Sequence, residues 1–189
     1  MKSKKGFTLI ELIIVIAIMG ALLAILIPSW MYYIQKSRLK TQNENAHVVF
    51  SAAQTILQDY RFKERNTTIS DDQLLVGNGV FELYWDANSG TTTAKSKGKD
   101  AMGNPTDNIK DVSLASDISD EINKIFSGGN ETCYRIYIEN YIVKSVASGR
   151  SNTDDYIGSY PVKQEKRDPA ATLQGFDMDA IALSATPNT

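Results

Sequence analysis

Residues 12–35 form a stretch of 24 residues without one charged side chain, and most of them are Leu, Ile, Val, Ala or Met. A helix rises about 1.5 Å per residue, so this stretch would be about 36 Å long as a helix. That length is enough to cross a hydrocarbon core of about 30 Å. The sequence therefore predicts a membrane-crossing helix near the N-terminus rather than the buried core helix of a globular domain.

The first six residues contain three lysines and no acidic residue: Lys2, Lys4 and Lys5. Basic residues beside a span favour the cytoplasmic side, so we expect a cytoplasmic N-terminus and an exported remainder. A cleaved secretory signal peptide and an uncleaved anchor are two ordinary interpretations. The apolar stretch is too long for a typical signal peptide, and residues 27–30 lack a clear small-x-small cleavage site.

Neither ordinary interpretation explains Glu11, which stands at the start of the apolar stretch. A carboxylate costs about 2.5–3.5 kcal/mol at the centre of a membrane and less near the interface. A charged residue in this position needs a partner, and we therefore treat it as a candidate functional residue.

Residues 4–11, with the sequence KKGFTLIE, resemble the class III signal sequence of type IV prepilins and pseudopilins. The resemblance implies that prepilin peptidase, a membrane enzyme, cuts after Gly6 and N-methylates Phe7, the new first residue. It also implies that Glu11 pairs with the Phe7 amine of a neighbouring subunit. In a bilayer of low dielectric constant this attraction is strong, and we expect it to select the axial register of the subunits.

Gly20 and Pro28 fall where the same family commonly places a glycine and a proline. Proline removes one backbone hydrogen bond and usually kinks a helix. We expect a kink here, and the residues between Gly20 and Pro28 are those expected to lose helical order in a filament.

The resemblance implies a structural subunit of a bacterial type IV pilus. Such a subunit crosses the cytoplasmic membrane once, with its N-terminus inside, before it joins an extracellular filament. The implied partners are prepilin peptidase, other pilin subunits, and the assembly platform with its ATPase; whether nucleic acid is a partner stays open. The alternatives are a pseudopilin of a type II secretion or competence DNA-uptake system, a membrane-tethered adhesin that does not polymerise, and an exported enzyme.

Beyond the membrane span, the helix and strand patterns predict an α+β protein, and the resemblance implies a pilin-like fold. We expect a leader at 1–6, a membrane and filament-core helix at 7–35, its amphipathic continuation at 36–62, and a head at 63–189. One apolar face of the continuation is predicted from spacings of 3, 4, 7, 8 and 11 residues. Its members are Val49, Ala52, Ala53, Ile56, Leu57 and Tyr60.

Within the head, apolar and β-branched residues predict a small antiparallel sheet that packs on this helix face. We expect strands at 80–85, 133–138, 141–146 and 156–162, with a turn at Glu139-Asn140. A short helix bearing Ile118 and Ile122 is expected to begin at a Ser116 or Asp117 cap. Residues 86–108, rich in Gly, Thr, Ser, Lys and Asn, predict a long exposed loop.

Enzymatic motifs are not found: there is neither a phosphate-binding loop nor a nucleophile elbow. The chain has one cysteine, Cys133, and one histidine, His47, so neither a disulfide nor a Cys/His metal centre can form within it. We expect no enzyme, cofactor or metal. The net charge of −2 excludes a strongly basic nucleic-acid binder.

Many relatives in the resembled family close the end of the sheet with a disulfide, which this chain cannot do. We therefore expect apolar packing to hold the C-terminal tail on the sheet instead. The residues predicted to do so are Leu173, Phe176, Met178, Ile181 and Leu183.

Overall fold

A 58-residue helix, α1 (Leu9–Asn66), dominates the computed structural model, which describes residues 8–66, 80–96, 112–127 and 131–184. The chain divides into two units, Met1–Ser37 and Arg38–Thr189. The second unit contains the rest of α1, a sheet and two further helices. Its elements are β1 (Val80–Asp86), β2 (Thr91–Ser96), α2 (Val112–Ile125), β3 (Cys133–Glu139), β4 (Ile142–Gly149), β5 (Gly158–Tyr160) and α3 (Met178–Ser184). The predicted α+β fold is confirmed.

The predicted apolar face of α1 forms one side of the main core. Val49, Ala53 and Leu57 are fully buried, and they pack with buried side chains of the sheet and of α2. The helix continues four residues past its predicted end at Phe62. Its amphipathic half therefore serves as the platform on which the head is built.

The sheet has five strands in the order β2-β1-β3-β4-β5, and every neighbouring pair is antiparallel. Alternation along each strand separates two faces. Phe81, Leu83 and Ile136 belong to the core shared with α1 and α2, whereas Tyr84 and Cys133 belong to a second cluster with the tail. One face of the sheet thus packs on α1 and α2, and the other face packs on the C-terminal tail, which includes α3.

Strand β2 contradicts the prediction of a loop over 86–108. It pairs with β1 from Phe81–Ser96 to Asp86–Thr91, and a four-residue turn joins the two strands. Its polar residues carry no apolar alternation, so the strand is set by pairing with β1 rather than by its own pattern. Residues 97–108 of the predicted loop lie outside the described residues.

The turn between β3 and β4 is Asn140-Tyr141, one residue later than predicted. Both residues have positive φ, 51° and 64°, as a type I′ turn requires. Tyr141 is an unusual residue for this conformation, but α1 holds it at both ends. Gln54 Nε2 donates to the Tyr141 carbonyl at 3.3 Å, and the Tyr141 hydroxyl donates to the buried carboxylate of Glu64.

Helix α2 begins at Val112, so the predicted cap at Ser116 or Asp117 is wrong. Ala115 precedes that cap and is itself buried, on the face that carries Ile118 and Ile122. Packing of this face on the core therefore extends the helix toward its N-terminus.

Strand β5 is shorter than predicted and lies directly against α1. A Cβ added at Gly158 would stand 2.1 Å from the carbonyl carbon of Gln42, so only glycine allows this approach. Asn43 fixes the contact: its Oδ1 accepts from the backbone N–H of Ser159 at 2.9 Å and of Gln164 at 3.1 Å.

The predicted packing of the tail on the sheet is confirmed for Leu173, Met178 and Ile181, which are buried. Phe176 is partly buried, and the side chain of Leu183 lies outside the described residues. Apolar packing is joined by an arginine clasp. Arg135 donates from Nη1 to the carbonyls of Leu173 at 3.3 Å and Phe176 at 3.0 Å.

The same arginine also binds Glu82 on the neighbouring strand, with Nε 3.0 Å from the carboxylate oxygen Oε2. Nη2 forms a second contact with that oxygen, and Nη1 contacts the carbonyl of Gln174. One guanidinium therefore links β1, β3 and the tail. This contact helps to hold the tail on the sheet in a chain that cannot form a disulfide.

Candidate functional site

The N-terminal half of α1 exposes nineteen large apolar side chains between Leu9 and Ile34. Among the described residues, α1 is the one helix that is long and apolar enough to cross a membrane. None of its most apolar 18 residues is buried within the subunit. Burial of one Leu or Ile side chain contributes about 1.5–3 kcal/mol relative to water. Covering this surface with lipid or with other apolar helices therefore stabilises the chain by on the order of tens of kcal/mol.

Thr8 and Glu11 cap the start of this helix reciprocally. The backbone N–H of Thr8 donates to Glu11 Oε2 at 2.8 Å, and the Thr8 hydroxyl donates to the same oxygen at 2.7 Å. The backbone N–H of Glu11 donates in return to Thr8 Oγ1 at 3.4 Å. This is a capping box, which satisfies amide groups that have no partner within the helix.

The capping box bears directly on the predicted role of Glu11. An apolar surrounding offers no water to a free amide or carboxylate, so a satisfied helix start is worth more there than in solution. The same contacts hold the Glu11 carboxylate at the start of the helix. Gly6 and Phe7 lie outside the described residues, so their cleavage, methylation and pairing with Glu11 stay predictions.

Sequence reasoning named Thr8 as part of the motif but assigned it no role. The signal was present, because Thr8 and Glu11 have the T-x-x-E spacing of a capping box before an apolar run.

Gly20 and Pro28 both lie within the helical part of α1. A Cβ at Gly20 would meet no atom within 4 Å, so packing within the subunit does not require glycine there. The backbone between the two residues is helical in the single subunit. The expected loss of helical order therefore stays a prediction for the assembled filament.

The two other candidate reactive residues, His47 and Cys133, make structural contacts. His47 is exposed and its ring lies 4.5 Å from that of Tyr160. Cys133 is fully buried, its Sγ donates to Asp86 Oδ1 at 3.4 Å, and burial raises the pKa of its thiol. The described part of the chain holds no group of three or more His, Cys, Asp or Glu residues that could bind a metal.

The acidic pair at 154–155 is likewise engaged. Asp154 accepts from the backbone N–H groups of Arg150 at 2.9 Å and Tyr156 at 3.0 Å, and Asp155 pairs with Arg167 at 3.5 Å. These carboxylates shape the segment after β4.

Comparison with known proteins gives a family match at the N-terminus and several similar fimbrial proteins. Residues 1–27 match the family described as the prokaryotic N-terminal methylation motif. A fimbrial protein of Pseudomonas aeruginosa is 35% identical over 77 residues, which are 41% of this chain and 50% of that protein. The type IV major alpha-pilin of Moraxella bovis is 39% identical over 72 residues, 38% of this chain and 43% of that protein.

The type IV major fimbrial protein FimA of Dichelobacter nodosus is 47% identical over 60 residues, 31% of this chain and 38% of that protein. The chain thus spans half or less of the length of these relatives. No solved structure matches the chain. The methylation motif at residues 1–27 and the similarity to named type IV fimbrial proteins support a type IV pilin.

Proposed function

We propose that this protein is a structural subunit of a bacterial type IV pilus, cut after Gly6 by prepilin peptidase, N-methylated at Phe7 and assembled through its apolar helix. The observation that carries the proposal is the exposed apolar half of α1, directly preceded by the prepilin motif. A surface this large needs an apolar surrounding, and both a bilayer and a bundle of identical helices provide one.

The two surroundings correspond to two stages. Before assembly, residues 7–35 cross the cytoplasmic membrane once with the N-terminus inside. After assembly they form the filament core, while 36–62 carry the head of residues 63–189 outside it. The exchange keeps the apolar side chains out of water throughout, and the assembly platform with its ATPase supplies the work.

Glu11 selects the register in this proposal. Its carboxylate enters an apolar core, where an unpaired charge is expensive and an opposite charge is strongly attractive. The Phe7 amine of a neighbouring subunit offers that charge only at one axial position. The capping box with Thr8 supports the proposal because it holds the carboxylate at the start of the helix.

The first test compares wild type with Glu11→Ala in cells that produce pili. We expect the variant to be inserted and processed but to form far fewer filaments, since register selection is lost. Glu139→Ala is the matched control, because Glu139 forms only a partly exposed ion pair with Lys144 in the head. Immunoelectron microscopy counts filaments, and wild-type numbers from Glu11→Ala would refute the role of Glu11.

Mass spectrometry of the mature protein tests processing. The proposal requires an N-terminal methylated Phe7, and an intact leader over residues 1–6 would refute it. Long labelled filaments support a pilin, short ones a pseudopilin, and a processed but monomeric membrane protein would indicate a tethered adhesin. The named relatives are fimbrial proteins, which favours the pilin, and we assign the chain no enzymatic activity.

A further inference from the structure

A polar cleft of about 220 Å³ opens in the head where α1 meets the segments before β3 and after β4. Gln42 lines this cleft and is only 5% exposed. The Gln42 amide oxygen accepts from Asn45 Nδ2 at 3.5 Å and from the Ser148 hydroxyl at 3.4 Å. Among the described residues, the amide nitrogen of Gln42 donates no side-chain hydrogen bond, so it is available to a ligand in the cleft.

The cleft is lined by three exposed charged residues: Arg38, Arg150 and Glu131. The Arg38 guanidinium lies 5.8 Å from the centre of the Tyr156 ring, a cation–π contact that holds it against the wall. Within the described residues neither arginine forms an ion pair. The second acid of the cleft, Asp154, accepts hydrogen bonds from two backbone N–H groups, which hold its carboxylate against the backbone.

This arrangement matches a ligand that carries a phosphate and a primary ammonium group close together. Arginine side chains and an amide donor suit phosphate oxygens, since the planar guanidinium donates several parallel hydrogen bonds. The Glu131 carboxylate suits an ammonium group that can donate hydrogen bonds. A purely anionic ligand would be repelled by Glu131, and a trimethylammonium group could not donate to it.

The position of the cleft indicates where such a ligand comes from. Arg38 follows the uncharged stretch by three residues, which is about 4.5 Å along a helix. The headgroup layer on each side of a bilayer is about 5–7 Å thick. If residues 12–35 cross the membrane, as the proposed function holds, Arg38 stands at the level of the outer headgroups.

We propose that this cleft binds the phosphoethanolamine headgroup of a phospholipid in the outer leaflet of the cytoplasmic membrane. The lipid would seat the head on the membrane surface before assembly and would be released when the subunit leaves the bilayer. The inference rests on the membrane stage of the proposed function, but it does not require that the chain polymerise.

The test uses the full mature chain in a non-ionic detergent, labelled with ¹⁵N-arginine. The chain has six arginines, so the side-chain Nε–Hε signals can be assigned by substitution. Short-chain phosphatidylethanolamine, short-chain phosphatidylcholine and inorganic phosphate are titrated separately. We expect the Arg38 and Arg150 signals to shift with the ethanolamine lipid, at a concentration at least tenfold lower than with the choline lipid.

Two variants locate the recognition, and a third serves as the control. Arg150→Gln should weaken binding of the ethanolamine lipid about tenfold, and Glu131→Gln should remove its advantage over the choline lipid. Arg167→Gln, an exposed arginine outside the cleft, should leave the titration unchanged. Equal shifts with both lipids in wild type, or no effect of Arg150→Gln, would overturn the proposal.

Two outcomes separate this inference from its alternatives. Inorganic phosphate that shifts both signals as strongly as the lipid would make the cleft a free-anion site and overturn the lipid assignment. Filament counts by electron microscopy test the proposed function independently. Cells without filaments would refute the pilus subunit while the lipid titration still supported the cleft.

Discussion

Replacing Arg135 by methionine should release the C-terminal tail from the sheet and lower the free energy of unfolding by about 3–5 kcal/mol. That is the usual cost of removing one partner of a buried ion pair, because the other charge stays buried. The ion pair between Arg135 and Glu82 counts as buried, since the two side chains are only 14% and 6% exposed. The substitution also removes the donors to the tail carbonyls of Leu173 and Phe176.

This cost is large for a domain whose total stability is about 5–15 kcal/mol. The assay is denaturant unfolding of the full mature chain in detergent, followed by tryptophan fluorescence. The chain has two tryptophans, so a Trp30→Phe background leaves Trp85 as the reporter. Trp85 suits this purpose because it is 8% exposed and belongs to the main core.

Arg167→Met is the matched control for this experiment. Its ion pair with Asp155 spans 3.5 Å between side chains that are 45% and 42% exposed, so we expect a loss of less than about 1 kcal/mol. The double variant Arg135→Met/Glu82→Met should recover part of the loss, because it removes the stranded carboxylate. A difference below 1 kcal/mol between Arg135→Met and Arg167→Met would refute the clasp.

Two further predictions concern the head. Gly158→Ala should destabilise the head by about 1–3 kcal/mol or more, because the new methyl group would overlap the Gln42 backbone. Gly20→Ala is the control, because a methyl group there meets no atom within 4 Å, and it should leave the stability of the head unchanged. Equal unfolding curves for the two variants would contradict the contact at Gly158. Stability should fall as the pH rises above about 8.5, since burial raises the pKa of the Cys133 thiol, so that the unfolded chain loses its proton first. Cys133→Ala should move the onset of this loss of stability toward pH 10, where ionisation of tyrosines with raised pKa values becomes the cause. Those tyrosines are Tyr84, Tyr134 and Tyr141. The measurement is a set of unfolding curves between pH 7 and 10.5. If the variant and wild type lost stability at the same pH, the thiol would have no role.

Local spacing was sufficient to predict several elements of this protein. The uncharged stretch predicts an apolar helix, and α1 exposes that stretch without burying it. The spacing from Val49 to Tyr60 predicts the helix face that the core covers. Both patterns reside in residues a few positions apart, and the helical period alone brings such residues to one side. The pairing of Glu11 with Phe7 depends on a second subunit and stays a prediction.

The features missed by sequence reasoning depend on residues far apart in the chain. Strand β2 has no apolar alternation, and its backbone is held in the sheet by antiparallel pairing with β1. The positive φ of Tyr141 is held by contacts from α1, 77 and 87 residues away in sequence. The Arg135 clasp likewise needs β1, β3 and the tail together.

Local spacing and residue type are thus enough to predict the apolar helix, the helix face that the core covers and most of the strands. The closing of the head by Arg135 and the set of charged residues that line the cleft beside α1 depend instead on how the head folds. The physical reason is that a buried ion pair or a polar cleft is a property of a place in the fold. Its members carry no mark in the sequence until packing excludes water and brings them together.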